Sequence, residues 1–187
     1  MPLTIYTVGH STLEADAFLA ILSAHGIECL ADVRSYPGSS RFPQFNKESL
    51  EEFLSARGIE YVWLKSLGGR RGKSKTPSPN TALRNAGFRN YADYMLTDEF
   101  AAAIADLLQI AGQKKTAIMC AEKLFFRCHR RLISDYLTAN GVKVVHLFDS
   151  KRSQEHVLSK EAQVQKDGKV LYLAQKQGLE GRLFQDY

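Results

Sequence analysis

Twelve residues near the middle of the second half, Cys120 to Arg131, hold two thiols, a carboxylate, an imidazole and three guanidiniums: Cys120, Glu122, Arg127, Cys128, His129, Arg130 and Arg131. A cysteine among bases at a helix start is more acidic than a free thiol, so Cys128, or Cys120 beside it, could serve as a nucleophile. Glu122 is the candidate general acid or base, kept ionised by neighbouring arginines, and His129 completes the catalytic candidates. Arg127 and Arg130 are candidate anion ligands. Bases in the first turn of a helix oppose its dipole by about 0.3 to 1 kcal/mol each, so folding alone does not gather them there. A bound anion would resolve the conflict; the competing reading is an ion-pair network with Glu122 or Asp135. On the anion reading, Arg130→Ala abolishes stabilisation by phosphate while leaving the fold intact. Cys120, Cys128, His129 and His10 are also soft donors, yet no C-x-x-C or H-E-x-x-H spacing is present, and no metal is assigned. Cys29 lies inside a strand and reads as core.

Such a cluster needs elements to position it. Leu3 to Val8 reads as a strand, followed by His10 and by Ser11-Thr12-Leu13-Glu14, whose S-x-x-E form predicts a capping box opening a helix that stops at Gly26. Ile27 to Val33 makes a second strand, ending in Asp32 and Arg34. Asn46 caps a helix over 47–57 that ends at Gly58, and Tyr61 to Leu64 is the third strand. Thr97 with Asp98 and Glu99 opens another helix before a strand at Thr116 to Met119; Arg130 to Ala139 is helical, and Val142 to Phe148 is the fifth strand. Strands alternating with helices predict a single α/β domain over 1–187, a three-layer fold with a mainly parallel five-stranded sheet and helices on both faces. The polar tail at 150–187 reads as a peripheral extension with a turn and short strand near Gly168. In such sheets ligands bind beyond the carboxyl ends of the strands. That geography gathers His10, Ser11, Asp32, Arg34, Gly68, Gly69 and the 120–131 cluster into one candidate anion pocket. Asp32 and Arg34, two apart on a strand, could instead simply pair with each other.

The net charge of +5 is concentrated: Lys65 to Arg89 contains seven bases and no acid, so the rest of the chain sums to 5 − 7 = −2. This acid-free, glycine-bearing stretch predicts a basic loop insertion at 65–89, a lid or binding loop. Gly72-Lys73-Ser74 resembles the end of a phosphate loop, but Leu67 stands where its first glycine belongs, which argues against a nucleoside triphosphatase. No apolar run approaches a membrane span, no signal peptide is visible, and three cysteines make no disulfide framework; the expectation is a cytoplasmic protein.

Tyr6-Thr7-Val8-Gly9-His10-Ser11, Leu30-Ala31-Asp32-Val33-Arg34 with Pro37 and Arg41-Phe42-Pro43, Leu67-Gly68-Gly69, Phe88 to Met95, and Met119-Cys120-Ala121-Glu122 followed by Cys128-His129-Arg130 resemble the bacterial and archaeal family catalogued as domain of unknown function 488. The resemblance implies that His10, Ser11, Asp32, Arg34, Gly68, Gly69, Cys120, Glu122, Cys128, His129 and Arg130 occupy motif positions, and it implies no activity or cofactor. The residues themselves favour an enzyme, a transferase or hydrolase, acting on a phosphorylated or nucleotide-like anion. A nucleic-acid-binding accessory protein using the 65–89 bases, and a thiol or metal module on Cys120 and Cys128, are the alternatives.

Overall fold

The computed structural model describes residues 3–174. Strands β1 (Thr4–Gly9), β2 (Cys29–Asp32), β3 (Glu60–Trp63), β4 (Thr116–Cys120) and β5 (Lys143–Leu147) alternate with helices α1 (Ala15–Ala24), α2 (Lys47–Ser55), α3 (Ala86–Tyr94), α4 (Asp98–Ala111) and α5 (Arg130–Ala139). Short strands β6 (Ser153–Glu155), β7 (Ala162–Val164) and β8 (Val170–Tyr172) follow. The sheet order is β3-β2-β4-β1-β5-β6, parallel except for the antiparallel edge strand β6, so it has six strands rather than the five expected. β7 and β8 form a separate hairpin.

Alternate strand residues feed two cores. Val8, Leu30, Ala117 and Met119 pack against Phe18, Leu22, Leu50 and Leu54 of α1 and α2, while Ile5, Ala31, Ile118 and Val144 pack against Tyr91, Phe100, Leu107, Leu132 and Ile133 of α3, α4 and α5. This is the period-two pattern of a sheet covered on both faces. Gly26, Gly58 and Gly141 stop α1, α2 and α5 with φ of 63°, 76° and 79°, a conformation side chains resist. Thr97 caps α4 by accepting from the Phe100 amide.

Three local expectations change. The Ser11 capping box does not form: α1 begins after Glu14 without a side-chain cap, because Ser11 sits at φ 50° with its amide donated to the Ala121 carbonyl. Asn46 stands before α2, but its Oδ1 accepts from the Ser39 amide at 2.6 Å. The stretch expected to be a loop up to Arg89 contains the first turn of α3, a helix capped by Asn85 on the Phe88 amide and tied down by Tyr91 and Tyr94 hydroxyls that donate to the carbonyls of Leu67 and Ser66. The 150–187 extension is not merely peripheral where it is described: Val170 and Tyr172 are buried in the α3–α5 core. Its portion beyond residue 174 lies outside the described residues. Among the described residues no helix is long and apolar enough to cross a membrane.

Candidate functional site

β4 lies between β2 and β1, whose following helices cover one face of the sheet, whereas α5 after β4 covers the other. Loops therefore diverge around the end of β4 and leave a crevice, the usual ligand position in an open parallel sheet. Cys120 is the last residue of β4 and points to the face of Ile118, toward α5. The His10 and Ser11 amides donate to the carbonyls of Cys120 and Ala121, fixing the loop after β4. Gly9 permits this approach, since a Cβ there would lie 2.7 Å from the carbonyl carbon of Glu122.

The crevice is a cleft of about 370 Å³ with Cys120, Cys128 and His129 in its floor and Arg34, Arg70 and Arg127 among its walls. Both sulfurs and an imidazole nitrogen lie within 4.8 Å of one another. His129 Nε2 sits 2.9 Å from the Val33 carbonyl, which only accepts, so Nε2 carries a hydrogen and Nδ1 is the nitrogen left for other partners. Gly69 lets the ring in: a Cβ there would be 2.8 Å from His129 Cγ. Gly68 plays the same part for Ser35, whose Oγ would be 2.7 Å from an added Cβ and which accepts from the Arg70 amide. The two thiols titrate as a pair. A hydrogen bond from Cys128, with support from His129 and the Glu122 amide, holds Cys120 well below the ordinary thiol range despite its burial. The same hydrogen bond and burial push Cys128 far above it.

The family model described as "Domain of unknown function DUF488" matches residues 14–137. The chain belongs to this DUF488 family. No curated protein and no solved structure matches it. The matched span ends inside α5, so the DUF488 core covers the cleft floor and Arg34, Gly68 and Gly69, whereas His10 and Ser11 precede it and β5 to β8 follow it.

In this DUF488 protein the candidate residues divide. Asp32 and Arg34 form a bidentate ion pair, with Nε at 2.9 and 3.0 Å and a terminal nitrogen at 2.5 Å from the carboxylate. Asp32 also accepts from Tyr61 Oη at 2.7 Å. Arg34 donates further to the Phe45 carbonyl and to His10 Nε2, leaving one guanidinium N–H for a ligand. His10 is buried, stacked on Phe45 at 4.1 Å, and donates from Nδ1 to the Ser11 carbonyl; burial and Arg34 lower its pKa to about 4. It supports Arg34 and is not part of the cleft lining. Nor are Ser11, Asp32, Gly68 or Glu122, whose Oε1 accepts from the Leu124 amide.

The largest difference concerns Arg130. Its side chain is 1% exposed and does not line the cleft. It runs beneath the loop after β4, donating to the Glu122 and Lys123 carbonyls, to Thr7 Oγ1 at 3.4 Å and to Cys128 Sγ at 3.2 Å. Main-chain acceptors thus resolve the charge conflict that an anion was expected to resolve. Tyr36 and Phe88 also stand in the cleft wall, though neither was among the site residues expected from the sequence; aromatics beside glycine- and serine-bearing segments were the available signal.

Proposed function

We propose that this protein is an enzyme that binds a phosphorylated or nucleotide-like anion in the cleft, where the Cys120 thiolate attacks phosphorus. An S–P bond forms as the P–O bond to the leaving group breaks and the leaving oxygen takes a proton; water or an acceptor hydroxyl then displaces the sulfur. One observation carries the reading: the acidified Cys120 thiol lies in the floor of a cleft where Arg70 and Arg127 have no acid partner among the described residues. A thiolate is the reactive form of cysteine, and unpaired guanidiniums favour phosphate-like oxygens through forked hydrogen bonds. His129 Nδ1 takes up the Cys120 proton, donates it as a hydrogen bond to the thiolate and gives it to the leaving oxygen, and Cys128 holds the proton the pair retains. Free thiols at these positions accord with a cytoplasmic setting.

Iodoacetamide at neutral pH tests this. Cys120 alkylates rapidly while Cys29, which burial pushes up to about 11, does not; millimolar phosphate or a nucleoside monophosphate slows the reaction, and Arg127→Ala loses that protection. A Cys120 with the pH profile of an ordinary thiol, indifferent to anions, overturns the reading. A second reading rests on the same three donors. Cys120, Cys128 and His129 form a soft set, with the histidine oriented by a carbonyl as metal-binding histidines usually are, and a cation there would keep a coordination position open to the cleft. Elemental analysis separates the two: stoichiometric zinc, with Cys120 protected until a chelator is added, favours the metal centre.

A further inference from the structure

Several bases elsewhere on this protein have acid partners, Lys114 with Glu60, Arg131 with Glu161, Lys143 with Glu155, Arg152 with Asp149 and Lys169 with Asp167, whereas scattered others among the described residues, such as Arg41, Lys47, Arg57 and Lys115, make no ion pair. At the cleft Arg34 is paired with Asp32, but unpaired bases are gathered around it and the neighbouring groove. Among the described residues Arg70, Lys73, Lys75, Arg84, Arg89 and Arg127 make no ion pair, whereas Arg71, also in this stretch, is stacked on Tyr94 and paired with Glu99. Lys73, Lys75 and Arg89 border a second groove of about 660 Å³ between the 73–78 segment and α3. Its one acid, Asp93, is engaged by Ser78 Oγ at 2.5 Å and Asn80 Nδ2 at 2.8 Å. The first turn of α3 joins the two depressions, Gly87 and Phe88 facing the cleft and Ala86 and Arg89 the groove. Aromatic faces stand at the cleft: Phe88 lines it, and Tyr36, 69% exposed, has the Arg70 guanidinium 5.5 Å from its ring centroid.

We infer that the anion accepted by the cleft is one nucleotide of a single-stranded polynucleotide, whose chain continues over α3 into the basic groove. This rests on the anion-site reading above and names its substrate class. A mononucleotide in the cleft would leave Lys73, Lys75 and Arg89 of the groove without a counter-charge; a chain supplies a phosphate at each nucleotide. Tyr36 and Phe88 suit unstacked bases, which a single strand presents and a duplex hides. An acidic peptide would match the charge but give the rings nothing flat to stack on, and a membrane surface would not enter two concavities.

The probe is a fluorescent oligonucleotide of about 12 nucleotides, within the usual range for one single-strand-binding domain, in deoxyribo and ribo forms, followed by anisotropy across a salt series. The expected result is binding at least tenfold tighter than that of a nucleoside monophosphate, weakening steeply with salt. A Lys73→Ala, Lys75→Ala, Arg89→Ala variant lowers the log–log salt slope by up to about 2.1, three contacts at about 0.7 each, while monophosphate protection of Cys120 is unchanged. Tyr36→Ala weakens oligonucleotide binding about 5- to 150-fold, the equivalent of one lost stack. Equal binding of both forms supports readout of backbone and bases; preference for either supports the inference with the sugar specified. Oligonucleotide binding no tighter than monophosphate, a parental slope in the triple variant, or equal competition by duplex or polyglutamate overturns it. If monophosphate also fails to protect Cys120, the anion-site reading has failed too; if protection persists, only the polynucleotide inference has.

Discussion

Replacing Arg130 by alanine decides between two accounts with opposite signs. If the guanidinium were an exposed base at the start of α5, its removal would relieve about 0.3 to 1 kcal/mol of unfavourable dipole interaction. The structure instead buries it, with donors on the Glu122 and Lys123 carbonyls, on Thr7 and on Cys128. Each acceptor left unsatisfied costs about 1 to 3 kcal/mol, and the missing side chain leaves a void. Thr7 retains His146 and the loop carbonyls can recruit some water, so the loss should be about 3 to 5 kcal/mol. For a chain of 187 residues, at about 2 to 4 °C per kcal/mol, the melting temperature should fall by about 6 to 20 °C. Urea and thermal unfolding in phosphate-free buffer measure this. Arg130→Lys, which keeps the charge without the fork, should recover only part of the loss. An unchanged or raised melting temperature in Arg130→Ala would refute the structural role.

Acid should weaken the fold before its carboxylates titrate. Burial with neighbouring positive charge lowers His10 to about 4, and burial with His156 and Arg130 nearby lowers His146 to about 3, against 6.5 when unfolded. The unfolded chain therefore binds protons that the fold refuses: the stabilisation is full above pH 6.5 and is lost as pH falls, by up to about 1.4 kcal/mol per unit for each ring. A urea midpoint that is flat from pH 7 to 5 would contradict this. Gly69→Ala drives a methyl group into the His129 ring and should cost about 1 to 3 kcal/mol by overpacking, with slower alkylation of Cys120; a variant with parental stability and reactivity would show that the ring can retreat freely. Thr97→Ala removes the cap of α4 and should cost about 1 kcal/mol in urea unfolding without touching Cys120 reactivity; a change in that reactivity would couple α4 to the site.

Helix ends at Gly26, Gly58 and Gly141 were legible because a left-handed residue is a local requirement that glycine meets wherever the chain places it. The Ser11 cap was not, because a tertiary bond from its amide to Ala121 overrides a local motif. α3 hides behind Gly87 and a polar approach, and its hold on the fold comes from tyrosine hydroxyls reaching Ser66 and Leu67, a long-range fact. β6 has three exposed residues and no apolar alternation, so only pairing with β5 reveals it. At the site, residue types indicated thiol and anion chemistry, but telling Arg127 from Arg130 required knowing that the loop after β4 folds over one of them. The Asp32–Arg34 pairing was visible as a possibility from two-residue strand spacing, and the structure realises it.

Buried Arg130 is also one end of a polar chain that runs beneath α5 on the same side of the sheet. His156 Nε2 lies 3.0 Å from Asp135, His156 Nδ1 2.9 Å from His146 Nε2, and His146 Nδ1 2.8 Å from Thr7 Oγ1. If His156 donates to the carboxylate, its Nδ1 must accept from His146, whose Nδ1 then accepts the Thr7 hydroxyl hydrogen, which leaves Thr7 oxygen free to accept from Arg130. With both rings neutral, this single assignment satisfies every group, and every donor points from Arg130 toward Asp135. Ser159 and Tyr172 complete the shell of that carboxylate, and Phe125 of the loop stacks on His146 at 3.4 Å. A buried cation and a buried anion are thus joined by dipoles aligned in one direction, an arrangement that offsets part of the cost of removing both from water. Its two ends are unlike in consequence: at Asp135 it secures the extension after β5, and at Arg130 it fixes the guanidinium that donates to Cys128, so the geometry of the thiol pair depends on residues from the last third of the chain.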